Sequence, residues 1–407
     1  MDSIDNIQKK IDSGKARVYT ASELKALVKE GRGQDADVVT CGTFGIMSGT
    51  LAVLSFQVCG PDVFRKAETV TLNGVPCTPG PCPNESLGLI DCVVYGTSHR
   101  DSRYGGGHLF RDIVAGEPIE ARVTSEGKEY VSTVTMDDMP TARIFLTRGG
   151  FKNYTCFVSE GPETRKTIFS GLPGFRGNLS MATVSGCGEI NPVQNDPSLR
   201  YLRTGAPIMI NGARGMLIGT GTRSTPQKPT LSAFADMHDM DPLLMGGFVT
   251  SAGPECITSI GAAIPVVDEQ ALKDLSVTDE ETPMPLADVC NRIPQEWGTY
   301  ASVWKGTHML EITELDDCSK CARCNADEKC PVEARPSTRC PENDRCVRCG
   351  LCAETCVGKR FAADLGHINF KNRQVPITLR QSDRKRGEMI CEDLKKRVAE
   401  GGWNLRV

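Results

Sequence analysis

The stretch CSKCARCNADEKCPVEARPSTRCPENDRCVRCGLCAETC, residues Cys318–Cys356, holds nine of the nineteen cysteines in a chain of 407 residues. It contains two C-x2-C-x2-C triplets, each followed a few residues later by a further cysteine. Thiolates at this spacing can occupy three corners of an iron–sulfur cube, and the fourth ligand comes from the other half of the motif. The spacing therefore predicts two [4Fe–4S] clusters. The expected ligands are Cys318, Cys321, Cys324 and Cys356 for one cluster, and Cys346, Cys349, Cys352 and Cys330 for the other.

A zinc ribbon and a disulfide scaffold are the alternatives for so many cysteines. Zinc sites normally use paired C-x2-C knuckles rather than triplets, and structural disulfides require an oxidising compartment. The stretch resembles the bacterial-type two-cluster ferredoxin, including the run CPVEA at Cys330–Ala334. It departs from that family in having five residues, not three, between Cys324 and Cys330. Cys340, which also precedes a proline, therefore competes as the distal ligand, although the CPVEA match favours Cys330.

Composition and charge narrow the class of protein. A hydrophobic content of 39% and a charged content of 24% are typical of a globular protein. The net charge of −4 gives no general attraction to nucleic acid or to anionic membranes. No apolar run approaches the ~20 residues that span a bilayer, and the polar N-terminal stretch does not resemble a secretion signal. We therefore expect a reducing cytoplasm, in an anaerobic cell, where cysteines bind metals or react.

The patterning predicts a mixed α+β protein in three segments. Residues 1–308 are expected to form the catalytic domain, and alternating polar and apolar residues at 117–160 predict strands within it. Residues 309–362 form the expected two-cluster module. Residues 363–407 are expected to form a β-hairpin and a helix that pack on the first domain, which would make the module an insertion.

Two glycine-rich stretches are candidates for binding an anion. An apolar strand at Asp37–Cys41 is followed by GTFG, and a glycine turn after a strand presents backbone amides that can bind an anion. We therefore name Gly42 and Gly45 as candidate substrate-binding residues, with a tight turn beneath the core as the alternative. The second stretch, HRDSRYGGGH, contains two arginines and a terminal histidine. Arg100 and Arg103 suit an oxyanion and His108 suits a proton shuttle, whereas the alternative is a solvated basic loop.

Three cysteines outside the motif are candidate catalytic residues: Cys41, Cys156 and Cys187. Cys156 is flanked by aromatic residues, and a lone cysteine in a strand often serves as a small core residue. Cys187 lies between two glycines, which leaves a thiol accessible. Cys77 and Cys82 form a C-x4-C pair whose spacing is unspecific, so its role stays open.

Four further motifs resemble the methanogen homocysteine-biosynthesis family, which L-aspartate-semialdehyde sulfurtransferase typifies. They are DVVTCGTFGIMSG (37–49), YGGGH (104–108), NPVQNDP (191–197) and GAPIMINGARGMLIGTGT (205–222). The resemblance covers roughly residues 4–275. The fused two-cluster module and the tail LRQSDRKR more closely resemble a sister branch, methanogenesis marker protein sixteen, which is linked to coenzyme M synthesis.

One departure from the family concerns its reactive thiols. The homocysteine branch is expected to carry a cysteine just after GTFG, where this chain has Ser48, and another in the segment that matches Val123–Tyr130, where this chain has none. Neither thiol can be carried over to this chain, which leaves Cys41, Cys156 and Cys187 as replacements.

The resemblance implies the reductive thiolation of a small anionic aldehyde. The first reading is sulfoacetaldehyde to 2-mercaptoethanesulfonate, with a sulfide donor and an external low-potential electron donor feeding the clusters. The alternative is L-aspartate semialdehyde to homocysteine, whose ammonium group would need an acidic partner such as Glu189. A further alternative is a non-enzymatic electron-transfer or maturation factor of methanogenesis. The oligomeric state stays open, with a homo-oligomer among the options.

Overall fold

The computed structural model describes residues 3–80, 85–150, 154–188, 190–304, 312–314, 321–339 and 344–406. Cys82, Glu189, Cys318 and Cys340 therefore lie outside the described residues. The strands are β1 Val18–Thr20, β2 Val38–Ile46, β3 Thr50–Gln57, β4 Thr69–Leu72, β5 Val75–Pro79, β6 Leu89–Tyr95, β7 Ile119–Ser125, β8 Lys128–Val134, β9 Thr141–Gly149, β10 Thr155–Val158, β11 Ala182–Ser185, β12 Pro207–Ile210, β13 Ala213–Thr220, β14 Leu231–Asp236, β15 Gly246–Thr250, β16 Gly253–Pro265, β17 Pro283–Asp288, β18 Pro294–Thr299, β19 Ile312–Glu314, β20 Phe361–Ala363, β21 His367–Phe370 and β22 Arg373–Arg380. The helices are α1 Ile4–Asp12, α2 Ala21–Lys29, α3 Gly106–Val114, α4 Pro192–Asn195, α5 Glu269–Leu275, α6 Tyr300–Val303, α7 Asn325–Lys329, α8 Pro336–Arg339, α9 Leu351–Thr355 and α10 Arg384–Ala399.

Three sheets organise these elements. The large sheet has the order β1-β2-β16-β12-β13-β14-β9-β3-β6-β5-β4-β7-β8, and β15 pairs with β16 at its side. A six-stranded sheet has the order β18-β17-β10-β11-β22-β21, and β19 and β20 form a separate pair. The expected mixed α and β class is confirmed, with most of the regular structure in strands. As far as the structure describes the chain, its helices are too short or too polar to cross a membrane.

The glycine turn expected at Gly42–Gly45 is wrong. Strand β2 continues through Ile46 and pairs with β16 along its whole length, from Val38 opposite Pro265 to Ile46 opposite Ile257. The glycines are needed for close packing instead. A Cβ atom on Gly42 would lie 2.8 Å from the carbonyl oxygen of Gly387, and one on Gly45 would lie 2.9 Å from that of Gly186. The chain turns later, where Met47 and Thr50 enclose Ser48 and Gly49.

The C-terminal segment returns to the body of the protein. Strand β22 pairs in parallel with β11 in the six-stranded sheet, and α10 packs against β2 and β16 of the large sheet. The side chain of Asp383 caps α10 by accepting a hydrogen bond from the backbone N–H of Arg386. The hydroxyl of Thr40 on β2 donates to the carbonyl oxygen of Cys391 at 2.9 Å, which ties this helix to the strand.

The cysteine-rich segment, residues 318–356, is held against the same body. The backbone N–H of Val249 on β15 donates to the carbonyl oxygen of Pro331 at 2.7 Å. A Cβ atom on Gly171 would lie 2.4 Å from the Leu351 side chain, so the two surfaces touch closely there. The Arg380 guanidinium donates to the carbonyl oxygens of Val303 and Leu365, at 2.8 and 3.0 Å. Those two residues precede and follow the segment, so one side chain binds the chain on both sides of it.

Candidate functional site

A cavity of about 520 Å³ opens between the large sheet and the six-stranded sheet. The turn after β2 contributes Ser48 and Gly49 from one side, and β10 contributes Thr155 and Phe157 from the other. The remaining described residues that line it are Ile46, Arg148, Ile168, Phe169, Ser185, Gly186, Thr222, Arg223, Lys228, Pro285, Arg292, Pro294 and Gln381. The turn after β2 and the short strands β10 and β11 thus line the same cavity, although they belong to different sheets.

Four cationic side chains surround this cavity: Arg148, Arg223, Lys228 and Arg292. No carboxylate is found among the described residues that line it. Burial lowers the pKa of Arg148, and the positive charges of Arg223 and Arg292 lower it further. Like charges gathered around a concave surface create a positive potential that attracts and holds an anion. The cavity is therefore suited to a small anionic ligand.

Cys187 is the candidate thiol that is adjacent in sequence to a residue of the cavity wall, Gly186, but it does not line the cavity. Its side chain is fully buried in the core, so the accessible thiol expected from its flanking glycines is wrong. The Asn191 side-chain amide lies 3.4 Å from its Sγ atom and donates to it. The thiol is close enough to Arg148 to affect the titration of that guanidinium.

Like Cys187, the other two candidate cysteines lie in the hydrophobic cores. Cys41 is fully buried in β2, and burial raises the pKa of its thiol far above the ordinary value. Cys156 is also fully buried, and burial raises the pKa of its thiol to about 12. Side chains alternate along a strand, so Thr155 and Phe157 face the cavity while Cys156 packs in the core of the six-stranded sheet. Neither Cys41 nor Cys156 lines the cavity.

The two arginines expected to bind substrate make other contacts. Arg103 donates to the carbonyl oxygens of Glu328 and Cys330, at 2.7 and 3.2 Å, and so binds the cysteine-rich segment. Arg100 pairs with Asp101 at 2.9 Å and stacks on the Tyr104 ring at 4.6 Å. Neither arginine lines the cavity. Gly42 and Gly45 do not line it either, because both belong to the paired part of β2.

His108 lies inside α3 rather than in an exposed loop. Its ring packs so tightly on β15 that a Cβ atom on Gly247 would lie 1.9 Å from Nδ1. Nδ1 accepts a hydrogen bond from the backbone N–H of Gly105 at 3.3 Å. Burial first, and the charges of Arg111 and Arg103 after it, lower the pKa of His108 to about 3. The imidazole is therefore neutral at physiological pH, and it lies outside the cavity.

Seven of the eight expected cluster ligands fall within the described residues. Cys330, Cys346, Cys349 and Cys352, which are expected to serve one cluster, are each no more than 7% exposed. Of the other expected set, Cys321 is exposed, while Cys324 and Cys356 are half-buried. The two sets of cysteines thus differ in burial: the set that contains Cys330 is buried, and the set that contains Cys321 is more exposed.

The donor chemistry of these cysteines suits thiolate ligation. Backbone N–H groups of Ala334, Arg348 and Arg360 donate to sulfur atoms at 3.3, 3.4 and 3.3 Å; the acceptors are Cys330, Cys346 and Cys356. Hydrogen bonds to sulfur are among the features that set the potential of an iron–sulfur cluster. As the described side chains stand, no three His, Cys, Asp or Glu residues converge in a group able to hold a metal ion.

A short hydrogen-bonded path joins the inner cysteines to the cavity. The backbone N–H of Arg380, at the end of β22, donates to the carbonyl oxygen of Cys349 at 3.1 Å. The next residue, Gln381, lines the cavity, and its amide donates to the carbonyl oxygen of Ile168 at 2.7 Å. The cysteine-rich segment therefore contacts the strand whose end forms part of the cavity wall.

Sequence reasoning missed the cationic residues of the site. Arg148, Arg223, Lys228 and Arg292 come from three separate parts of the chain, and only the fold brings them together. Their one local signal is the neighbouring glycine of Arg148, in the run TRGG that closes β9. A basic residue beside glycines is too common to identify an anion site without the structure.

The chain is similar to a known protein family and to proteins of methanogens. A family model described as homocysteine biosynthesis enzyme, sulfur-incorporation, matches residues 16–405. An uncharacterized protein of Methanothermobacter thermautotrophicus is 43% identical over 98% of this chain and 94% of its own length. An L-aspartate semialdehyde sulfurtransferase of Methanosarcina acetivorans is 29% identical over 69% of this chain, which spans 57% of that relative. A protein of the same name in Methanocaldococcus jannaschii is also 29% identical, over 71% of this chain and 58% of its own length. No solved structure matches the chain.

Proposed function

Because this chain belongs to the homocysteine biosynthesis enzyme, sulfur-incorporation family, we propose that it transfers sulfur to a small anionic aldehyde in the cationic cavity. The preferred substrate is L-aspartate semialdehyde and the product is homocysteine, in line with the names of the two sulfurtransferase relatives. The observation that carries the proposal is the cavity of about 520 Å³, which four cationic side chains line.

The overall reaction is a reductive replacement of oxygen by sulfur. An aldehyde and hydrogen sulfide combine with two electrons and two protons, and give a thiol and one water. In the first step a sulfur–carbon bond forms and the carbonyl oxygen takes up a proton. Loss of water then gives a thioaldehyde, and two electrons with two protons reduce it to the thiol.

The cavity residues have distinct roles in this proposal. Arg148, Arg223 and Arg292 bind the substrate carboxylate, because a guanidinium can donate two parallel hydrogen bonds to a carboxylate. Cys187 is assigned as the reactive thiol, since the residue before it lines the cavity and its charge acts on Arg148. Orientation by fixed charges matters here because a small aldehyde offers few other groups to hold.

Sulfoacetaldehyde, with 2-mercaptoethanesulfonate as product, is the second candidate substrate. The absence of a carboxylate from the described lining favours it, because a sulfonate needs cations alone. The amino acid aldehyde also brings an ammonium group, which would need an acidic partner. Glu189, the partner suggested by the sequence, lies outside the described residues.

Two [4Fe–4S] clusters are part of the proposal. When bound, each cluster carries one electron, so two clusters match the two electrons of the reduction. Cys318, Cys321, Cys324 and Cys356 would hold the outer cluster, and Cys330, Cys346, Cys349 and Cys352 the inner one. The contact between Cys349 and Arg380 supports the inner position of the second set.

An anaerobic assay tests the proposed reaction. Purified protein with reconstituted clusters is supplied with sulfide, a low-potential reductant and one of the two aldehydes, and thiol products are alkylated and identified by mass spectrometry. We expect homocysteine from L-aspartate semialdehyde. Faster formation of 2-mercaptoethanesulfonate from sulfoacetaldehyde would select the second candidate. No thiol from either aldehyde, together with a stoichiometric protein partner in pull-downs, would favour an electron-transfer or maturation factor instead.

Iron analysis tests the clusters independently of activity. Two clusters require about eight iron atoms per chain. We expect Cys330→Ala to lose roughly half of this iron, whereas Cys340→Ala retains it. The opposite result for the two variants would make Cys340 the distal ligand, and unchanged iron in both would remove the two-cluster assignment.

A further inference from the structure

Helix α10 covers one part of a face of the large sheet. Gly261 on β16, Met209 on β12 and Arg214 on β13 are paired in register and so lie side by side on this face. The helix packs here so closely that a Cβ atom on Gly261 would lie 2.8 Å from the Ile390 side chain. The Arg214 guanidinium donates to the carbonyl oxygen of Asn404 at 2.9 Å, so the residues after α10 reach β13. The C-terminal segment of the chain therefore covers this face from β16 to the first residues of β13.

The same face, continued from β13 to β6, carries a row of apolar side chains that reach solvent. This apolar row is formed by residues paired in register across five neighbouring strands: Met216 on β13, Phe234 on β14, Phe145 on β9, Leu51 on β3 and Tyr95 on β6. Met216 is 43% exposed and Tyr95 is 51% exposed, and the three residues between them are half-buried. The rings of Phe145 and Phe234 stack with their centroids 5.7 Å apart. The solvated face of an antiparallel sheet is normally polar, so exposure to water alone does not explain this row.

The neighbouring row on this face is apolar at one end and electrically balanced at the other. It contains four residues in register across β14, β9, β3 and β6: Asp236, Arg143, Val53 and Val93. Asp236 and Arg143 form an ion pair at 3.5 Å. Because these two charges neutralise each other, the row gives no general attraction to nucleic acid or to an anionic membrane. For the same reason it does not repel a second surface of the same composition.

The size of this face fits a small protein–protein interface. Five strands spaced ~4.8 Å apart are about 24 Å wide, and three outward positions on each strand, ~6.8 Å apart, extend about 20 Å along them. Two copies packed face to face would therefore bury roughly 500 Å² each and roughly 1,000 Å² together, which is the lower limit for a specific interface. Sheets that pack face to face lie about 10 Å apart with their side chains interdigitated, and the apolar row supplies side chains of the size that such a layer needs.

We propose that the apolar row is the interface of a homodimer, in which the same face of a second copy packs on it. A two-fold axis through the middle of the row brings the row of one copy onto the row of the other. Apolar side chains then meet apolar side chains, so the surface is complementary to itself. Phe145 lies on the middle strand of the five and is therefore at the centre of the contact, with Met216 and Tyr95 at its ends. The interface does not depend on the reaction proposed above, although Leu51 follows Gly49, a residue of the cationic cavity, by only two positions.

Sedimentation equilibrium of the full chain, under anaerobic conditions and from about 1 to about 100 μM, tests the dimer. We expect a monomer–dimer equilibrium with a micromolar Kd, because an interface of this size is at the lower limit. Phe145→Asp places a charge at the centre of the apolar contact and should raise Kd by at least about 30-fold, the effect of losing one central anchor residue. Val131→Asp is the matched control, because Val131 is also exposed, at 52%, and lies on β8 at the far edge of the same sheet. It should keep the wild-type Kd.

Thermal unfolding of each variant checks that it remains folded. Tyr95→Asp, at the exposed end of the row, is the second variant if Phe145→Asp does not fold, and it should also raise Kd, by a smaller factor. A wild type that stays monomeric up to about 100 μM would overturn the proposal, as would a dimer whose Kd neither variant changes. Binding of a monomeric wild type to neutral phosphatidylcholine vesicles would assign the face to a lipid surface instead, and would equally overturn the dimer.

Discussion

Neutralising one cation of the cavity should weaken the enzyme by an amount that depends on its burial. Arg148 is half-buried, whereas Arg223 and Arg292 are exposed at the rim. We consider Arg148→Gln, Arg223→Gln and Arg292→Gln, which keep a polar side chain of similar length and remove the charge. Each is expected to raise KM for the anionic aldehyde.

The magnitudes follow from the environment of each charge. A hydrogen bond to a charged group contributes about 1.5–3 kcal/mol, so Arg148→Gln should lower kcat/KM by roughly 10- to 150-fold at about 1.4 kcal/mol per tenfold. Exposed ion pairs contribute about 0.2–1 kcal/mol because water screens them. Arg223→Gln and Arg292→Gln should therefore lower kcat/KM by roughly 1.5- to 5-fold each.

The assay is the initial rate of thiol formation against aldehyde concentration, at low and at high salt. The screening length falls from ~10 Å at 0.1 M salt to ~3 Å at 1 M. High salt should therefore raise the wild-type KM towards that of the rim variants. It should raise the KM of the Arg148 variant by a similar factor, because that variant keeps both rim arginines. Arg122→Gln is the control, since Arg122 lies on β7 and pairs with Glu120 and Glu129 outside the cavity. Equal KM values for all four variants and the wild type at low salt would refute the assignment of this cavity as the anion site.

Three further predictions concern the remaining candidates. Cys187→Ser should abolish thiol formation, whereas Cys41→Ser should keep activity. Both side chains are fully buried, so each change buries a hydroxyl in the core and should lower the free energy of unfolding by about 1–3 kcal/mol. Activity that is lost in Cys41→Ser and kept in Cys187→Ser would exchange their roles. The pKa of His108 is about 3 in the folded protein and 6.5 ordinarily, so its contribution to stability is complete above pH 6.5 and is lost as pH falls towards 3. The free energy of unfolding of His108→Gln, measured in urea between pH 7 and 5, should therefore depend less on pH than that of the wild type. An equal slope in the two proteins would contradict this prediction. Arg103→Ala removes two hydrogen bonds to carbonyl oxygens of the cysteine-rich segment, so limited proteolysis within 321–339 should become faster. Arg100→Ala is the control and should leave the rate of proteolysis unchanged. Equal rates in both variants would show that Arg103 does not hold the segment in place.

Local patterns predicted much of the secondary structure. The alternating stretch at 117–160 forms β7, β8, β9 and β10, and the C-terminal apolar positions Ile390, Leu394 and Val398 lie buried on α10. Both patterns involve residues that are close in sequence, so they predict strands and helices without knowledge of the fold.

The glycine-rich stretches misled for a physical reason. Glycine serves a turn, but it also serves a close approach between two backbones. In β2 the approaching backbones are those of Gly387 and Gly186, which lie far away in sequence. The sequence alone does not distinguish these two uses, so the turn was expected five residues too early and its glycines were taken for an anion site.

The candidate site depended on long-range pairing. Cys187 was named because its flanking glycines suggested access, whereas the structure buries its side chain fully. The cations at 148, 223, 228 and 292 were missed because their proximity follows from the order of strands in two sheets. Arg103 was expected to bind an anionic ligand because of the glycines beside it in sequence. In the structure its hydrogen-bond partners are carbonyl oxygens more than two hundred residues away.

The two hydrogen bonds of Arg380 bear on whether the cysteine-rich segment can be removed from the protein. Its guanidinium reaches Val303 and Leu365 at once, so the chain leaves the body and re-enters it within the span of one side chain. Insertions of small domains are tolerated where the two attachment points are close together. A short glycine linker in place of residues 305–364 should therefore close the gap without strain. The cysteine-rich segment can thus be removed or exchanged as one piece, because both of its attachment points lie at one side chain of the body.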